Sequence, residues 1–133
     1  MTVKANNSDG TTTKEKEIEV KDTPVKPINY YLGVNIIGSP YVDITFQNNS
    51  GKGVTTIELK IIAWNDFDER IATPYYYDDY TMGATASNLS FLPGTERTYT
   101  WKYLDIYFLD SITTVKAYVT RIAYADETSW SLE

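Results

Sequence analysis

The 133-residue chain contains no histidine and no cysteine. Histidine is the commonest general acid or base near neutral pH, so its absence excludes Ser-His-Asp and Cys-His catalytic arrangements. Zinc sites built from cysteine and histidine are excluded as well. No apolar run approaches the ~20 residues that span a bilayer. Because no acid, base or nucleophile arrangement is recognisable, we expect a domain without enzymatic activity and without a resident cofactor.

Basic residues are also few. Twelve Lys and Arg stand against 18 Asp and Glu, which leaves a net charge of −6. Duplex DNA and RNA are bound largely through cations that neutralise phosphates, so this balance disfavours a nucleic-acid partner. It disfavours an anionic membrane surface for the same reason. The lack of cysteine is compatible with the cytosol and with a bacterial surface protein that has no disulfides.

Aromatic residues are abundant, with 12 tyrosines and three tryptophans. Residues 1–27 form a polar leader that closes with two prolines at positions 24 and 27. Within it, Ile18 and Val20 alternate with charged residues, which favours an edge strand over a solvated helix beginning at Lys14. We therefore predict a linker over residues 1–27 and a folded domain over residues 28–133.

Short strand patterns separated by turn residues fill the predicted domain. Apolar residues alternate along Tyr41–Gln47 and Val54–Trp64, and the residues at 48–53 favour a turn between them. Apolar parity changes within residues 112–124, which predicts a β-bulge near Thr120 and Arg121. Further strands are predicted over residues 30–37, 84–92 and 95–104. The whole pattern predicts an all-β, antiparallel immunoglobulin-like sandwich of about seven strands.

Three motifs carry a family resemblance over residues 41–130. They are the Asn-Asn-Ser-Gly-Lys turn at 48–52, Leu-Pro-Gly-Thr at 92–95, and Ile-Ala-Tyr-Ala-Asp-Glu-Thr-Ser-Trp at 122–130. In these the chain resembles the immunoglobulin- and fibronectin-like domains of secreted and lipid-anchored proteins of Gram-positive bacteria, most nearly the FxLYD-type domains. Glu127 stands where glycine is usual in that group, so a different turn is expected there.

The resemblance implies a β-sandwich at the extracellular surface of a Gram-positive bacterium. It implies no catalytic residue, since such domains act as spacers or as adhesion and interaction modules of larger proteins. The expected partner is another protein, a cell-wall component or a polysaccharide. The oligomeric state is left open; one alternative is self-assembly through the predicted strand at Ile18 and Val20.

A tyrosine-rich acidic segment is the most distinctive local feature. Residues 66–80 hold five acids against one arginine. Rings on a loop can stack on sugars, with carboxylates binding the hydroxyl groups; the alternative is that some of the rings pack beneath the loop. The candidate carbohydrate-binding residues are Tyr75, Tyr76, Tyr77, Asp78, Asp79 and Tyr80.

A second candidate site is the acidic run Asp66, Asp68 and Glu69. Calcium prefers several hard oxygen ligands on a flexible loop, so these carboxylates are candidate calcium ligands. The alternative is an ordinary acidic β-turn, because aspartate is a common turn residue.

The sequence also predicts where the three tryptophans lie. Trp64 is expected to fill the core between the sheets. Trp101 shares its parity with Tyr99 and Tyr103, and this row favours a core position over an exposed binding strip. Trp130 is expected to cover one end of the sandwich.

Overall fold

Seven strands and one helical turn make up the part of the chain that the computed structural model describes, residues 23–73 and 80–132. The predicted strand at Ile18 and Val20 lies outside these residues. The elements are β1 (Val25–Val34), β2 (Pro40–Asn48), β3 (Val54–Trp64), β4 (Met82–Ala86), β5 (Glu96–Trp101), α1 (Leu104–Tyr107), β6 (Thr114–Tyr124) and β7 (Ser129–Ser131).

The strands form two antiparallel sheets, which confirms the predicted sandwich. One sheet has the order β1-β2-β5 and the other has the order β4-β3-β6-β7. Because β4 pairs with β3, the fourth strand belongs to the second sheet. In constant-type immunoglobulin domains the fourth strand stays with the first sheet instead.

The core lies between the sheets and follows the apolar alternation of the sequence. In β2 the inward residues are Val42, Ile44 and Phe46, all completely buried. In β3 they are Ile57, Leu59, Ile61 and Ala63, and residues of β6 complete the cluster. Each large side chain buried here contributes roughly 1.5–3 kcal/mol to stability.

The predicted β-bulge is present in β6. Glu58 pairs with Arg121, but the next residue, Leu59, pairs with Val119, so that Thr120 has no partner residue on β3. The Thr120 hydroxyl donates a hydrogen bond to the carbonyl oxygen of Glu58. The extra residue reverses the parity of β6, and Ile122 can thereby point into the core like Val119.

Three strand boundaries, two in β1 and one in β4, differ from the sequence-based ones for local reasons. β1 begins at Val25, which is completely buried, so residues 25–27 form part of the sheet. It ends at Val34, because Asn35 begins a hairpin loop. β4 ends at Ala86 and does not continue to residue 92, because Asn88 has a φ of 57° that breaks the strand.

Two aromatic side chains connect the sheets by hydrogen bonds. The Tyr30 hydroxyl in β1 bonds to the backbone of Ala117 in β6. The Trp101 indole in β5 donates to the carbonyl oxygen of Thr85 in β4. In the part of the chain that the structure describes, no helix is long and apolar enough to cross a membrane.

Candidate functional site

Three loops meet at one end of the sandwich. The β1–β2 loop, the loop after β3 and the start of β6 lie at the same end. The residue pairs that show this are Val34 with Pro40, Trp64 with Arg70, and Trp64 with Thr114. β5 also ends there, since Trp101 pairs with Val42. We call this region the loop end; it comprises residues 35–39, 65–70 and 102–113 together with Tyr80.

Hydrogen bonds between side chains hold these loops together. Ser39 donates to Asp105 at 3.2 Å, which joins the β1–β2 loop to α1. Asn65 donates to Asp110 at 3.1 Å, and Thr113 donates to Asp66. The bond from Asn65 holds the pKa of Asp110 below its ordinary value, so this carboxylate is charged at neutral pH. The loop end is therefore a connected surface.

Two hairpin loops within it have the same backbone design. In one, the Asn35 side-chain oxygen accepts hydrogen bonds from the N–H groups of Ile37 and Ser39. In the other, the Asn65 oxygen accepts the N–H groups of Phe67 and Glu69 in the same positions. The residue three positions after each asparagine, Gly38 or Asp68, has a positive φ. This is the three-residue hairpin loop built on a type I turn and a left-handed residue.

The shared design presents an apolar side chain at the tip of each loop. Ile36 is 100% exposed, Ile37 is 78% exposed and Phe67 is 82% exposed. These side chains contribute almost nothing to the core, so packing of the core does not explain why they are apolar. Apolar side chains grouped on a surface typically mark a place where another molecule binds.

The helical turn α1 adds two further apolar side chains to the loop end. Leu104 and Phe108 are buried in the core, so α1 is fixed to the end of the sandwich. Ile106, which lies between these anchors, and Leu109, which follows Phe108, are exposed. The Leu109 N–H donates to the carbonyl oxygen of Ala72, which also ties this segment to the chain that follows β3.

Acidic side chains surround the apolar ones. The loop end contains five acidic residues and two basic residues, and all five acidic side chains are exposed. Its charge therefore has the sign of the chain as a whole. The acidic residues are Asp66, Asp68, Glu69, Asp105 and Asp110, and the basic ones are Arg70 and Lys102.

Sequence reasoning missed the apolar tips because it assigned Ile36 and Ile37 to a strand. An apolar β-branched pair next to a strand pattern looks like its continuation. The signal that could have found the loop is Asn35 followed three residues later by Gly38, a spacing suited to a three-residue hairpin.

The tyrosine-rich candidate site is described only at its last residue. Tyr75, Tyr76, Tyr77, Asp78 and Asp79 lie outside the described residues. Tyr80 is half exposed, has a φ of 56°, and its carbonyl oxygen accepts a hydrogen bond from Arg70. Carbohydrate binding by this segment stays a prediction.

The calcium candidates lie in one hairpin loop. Asp66 accepts from Thr113 and Glu69 accepts from Asn65. Across residues 23–73 and 80–132 no group of three or more acidic, histidine or cysteine side chains is placed to hold a metal. Calcium binding by Asp66, Asp68 and Glu69 stays a prediction.

The tryptophans take three different positions. Trp64 is completely buried, but on the outer face of β3, where the Arg70 guanidinium lies 6.0 Å from the centroid of its ring. It therefore does not fill the space between the sheets. Trp101 is partly buried and packs edge-on against Phe46. Trp130 packs against the core from β7.

A groove of about 320 Å³ lies on the outer face of the second sheet, beside β7. Glu58 and Arg121 line it and form a two-pronged ion pair with N–O distances of 3.0 and 2.8 Å. Because these two charges satisfy each other, they are less available to a ligand.

The motifs that carry the family resemblance lie at the opposite end of the sandwich. Asn48 is completely buried, and its side chain donates to the carbonyl oxygens of Lys52 and Phe91. The Gly94 N–H donates to the carbonyl oxygen of Asn48. These residues have a structural role.

No match was found when the chain was compared with models of protein families, with curated proteins and with solved structures. The resemblance to FxLYD-type domains stays a prediction that depends on the three motifs alone.

Proposed function

We propose that this domain is a non-catalytic interaction module of a larger extracellular bacterial protein, and that it docks onto a protein partner through the loop end. The observation that carries the proposal is the exposure of Ile36, Ile37 and Phe67 on two hairpins of identical design. A domain that serves only as a spacer gains nothing from apolar loop tips, which add a risk of aggregation.

The chemistry of the loop end defines the partner. Apolar side chains on rigid loops fit an apolar cleft, and their burial supplies the affinity. The acidic residues around them favour a cleft bordered by lysine and arginine, which would guide association and weaken at high salt. A second copy of this chain is a poor partner because the two acidic surfaces repel each other. An anionic lipid surface is disfavoured for the same reason.

The extracellular setting is supported by the resemblance to domains of Gram-positive surface proteins. Binding residues are often carried by loops that a rigid scaffold holds in position, as the sandwich core does here. The absence of cysteine is compatible with this setting.

The test is a comparison of binding between the domain and a matched set of variants. The immobilised domain is exposed to a panel of purified host matrix proteins and bacterial envelope proteins, at about 50 and 500 mM salt, and association is followed by interferometry. The triple variant Ile36→Ser, Ile37→Ser, Phe67→Ser removes the apolar tips. We expect it to lose at least about tenfold in affinity for any partner found.

The matched control is Leu92→Ser, which removes an apolar side chain that is 57% exposed at the opposite end. We expect this variant to bind like the unmodified domain. Equal binding by the triple variant and the unmodified domain would contradict docking through the loop end. Binding that strengthens with salt would contradict a basic partner surface.

A further inference from the structure

The outer face of the β1-β2-β5 sheet carries tyrosines and hydroxyl groups in register. Core residues such as Val42 and Ile44 occupy one face of β2, so Tyr41, Asp43 and Thr45 lie on the other. The pairing of β1 with β2 places Tyr31 beside Asp43, and the pairing of β2 with β5 places Thr100 on the other side of Asp43. Tyr31 is 59% exposed on this face.

Two tyrosine rings lie next to each other, and a glycine makes room for one of them. The ring centroids of Tyr31 and Tyr41 are 6.3 Å apart. A Cβ atom on Gly33 would lie 2.5 Å from the Cζ and Oη atoms of Tyr41 and 2.9 Å from the Tyr31 ring. Gly33 in β1 pairs with Tyr41 in β2, so this glycine is needed for the close approach of the ring.

A row of polar groups continues from the rings along the sheet. The Thr100 hydroxyl donates to Asp43 at 2.5 Å, and the hydroxyls of Thr45 and Thr98 are 2.7 Å apart. Thr98 and Thr100 are exposed, and Thr45 and Asp43 are partly so. Hydroxyl groups both donate and accept hydrogen bonds, as the hydroxyls of a sugar do.

We propose that this face binds a neutral polysaccharide chain, with Tyr31 and Tyr41 stacking on its sugar rings. The face of an aromatic ring carries partial negative charge, which attracts the C–H groups on the apolar side of a sugar. The threonine hydroxyls and Asp43 bind the hydroxyl groups at the edges of the sugar rings. The two tyrosine rings are inclined by 50°, which suits a single twisted chain and not the flat surface of a crystalline polymer.

This proposal goes beyond the protein-docking function and depends on different residues. The loop-end variants leave Tyr31, Gly33 and Tyr41 unchanged, so failure of one proposal is distinguishable from failure of the other. It also differs from sugar binding by the tyrosine-rich segment, because Tyr31 and Tyr41 belong to the sheet.

Affinity electrophoresis tests the proposal directly. The acidic domain migrates in native gels that contain hydroxyethyl cellulose, xylan, galactomannan or a soluble β-1,3-glucan, and binding retards it. We expect at least one of these polymers to retard the unmodified domain. Tyr31→Ala reduces the affinity by about tenfold, a change of about 1.4 kcal/mol that matches the loss of one aromatic contact.

Two further variants keep the test informative. Gly33→Ala retains both tyrosines but displaces the Tyr41 ring, so we expect retardation to weaken. Tyr103→Ala removes an exposed tyrosine at the loop end and serves as the matched control, with retardation unchanged. Melting curves verify that each variant is folded.

Three outcomes would overturn the proposal. If none of the polymers retards the unmodified domain, the face does not bind neutral polysaccharides. If Tyr31→Ala is retarded as strongly as the unmodified domain, or Tyr103→Ala loses retardation to the same extent, the binding is located elsewhere.

Discussion

The hydroxyl of Tyr30 donates a hydrogen bond to the carbonyl oxygen of Ala117 at 3.1 Å and accepts one from the N–H of the same residue at 2.9 Å. Within residues 23–73 and 80–132, β6 pairs with β7 at residues 121–123, and Ala117 lies outside this range. One phenol in the first sheet therefore satisfies two backbone groups of the second sheet.

Removing this hydroxyl is expected to destabilise the domain. Tyr30→Phe leaves a partly buried N–H and carbonyl group without their partner, which costs about 1–3 kcal/mol. Urea denaturation measures the difference in the free energy of unfolding. Tyr31→Phe is the matched control, because the neighbouring ring is largely exposed. An equal effect of the two substitutions would show that the hydrogen bonds to Ala117 contribute nothing.

Alkaline pH is expected to weaken the fold. Burial raises the pKa of Tyr30, Tyr99 and Tyr124 above the ordinary value of 10.0. A group whose pKa is higher in the folded state contributes its stability fully below the unfolded pKa and loses it as the pH rises through the folded pKa. The urea midpoint should therefore fall from about pH 10 upward, and less steeply in Tyr30→Phe. A flat profile, or identical profiles, would refute this prediction.

Glu127 is expected to be replaceable by glycine with a gain in stability. The sequence predicts a changed turn at this position, yet the β6–β7 hairpin has the hydrogen-bond pattern of the Asn35 and Asn65 loops. Glu127 has a φ of 71° at the loop position where Gly38 has a φ of 86°. A residue with a side chain is strained there by about 1–2 kcal/mol.

Thermal melting of two variants separates the effect of backbone strain at this position from the effect of charge. Glu127→Gly is expected to raise the melting temperature by several degrees, since about 1 kcal/mol corresponds to about 4–8 °C in a domain near this size. Glu127→Gln removes the charge but keeps the strain, so its melting temperature stays unchanged. An equal rise in both variants would assign the effect to charge.

Millimolar calcium is expected to leave the melting temperature unchanged. Asp66 and Glu69 already accept hydrogen bonds from Thr113 and Asn65, and a metal would compete with those donors for the carboxylate oxygens. A ligand that binds only the folded state raises the melting temperature in proportion to its affinity. A rise with calcium that Asp68→Asn abolishes would establish the calcium site predicted from the sequence.

The sequence predicts the centre of the fold better than its ends. The bounds of β3 agree at both ends, because its apolar alternation is long and turn residues border it. The bulge at Thr120 is also predicted, since a change of parity has no other simple cause. The order of the strands in each sheet depends on pairing between distant residues, which no local pattern of a single sequence encodes.

The candidate site was harder to predict than the fold. Ile36 and Ile37 look like strand residues, but the Asn35 side chain and the left-handed Gly38 turn the chain into a loop. Tyr41 gives no signal of its own, because its contact with Gly33 depends on the register of β1 and β2. Local composition identified acidic and tyrosine-rich segments but not which side chains meet in space.

The measurement that tests the central claim most directly is site-specific photo-cross-linking. A benzophenone amino acid replaces Phe67 at the loop end in one protein and Leu92 at the opposite end in another, and each is irradiated with a partner that binds the unmodified domain. We predict cross-links from position 67 and none from position 92. Cross-links from position 92 alone would contradict docking through the loop end.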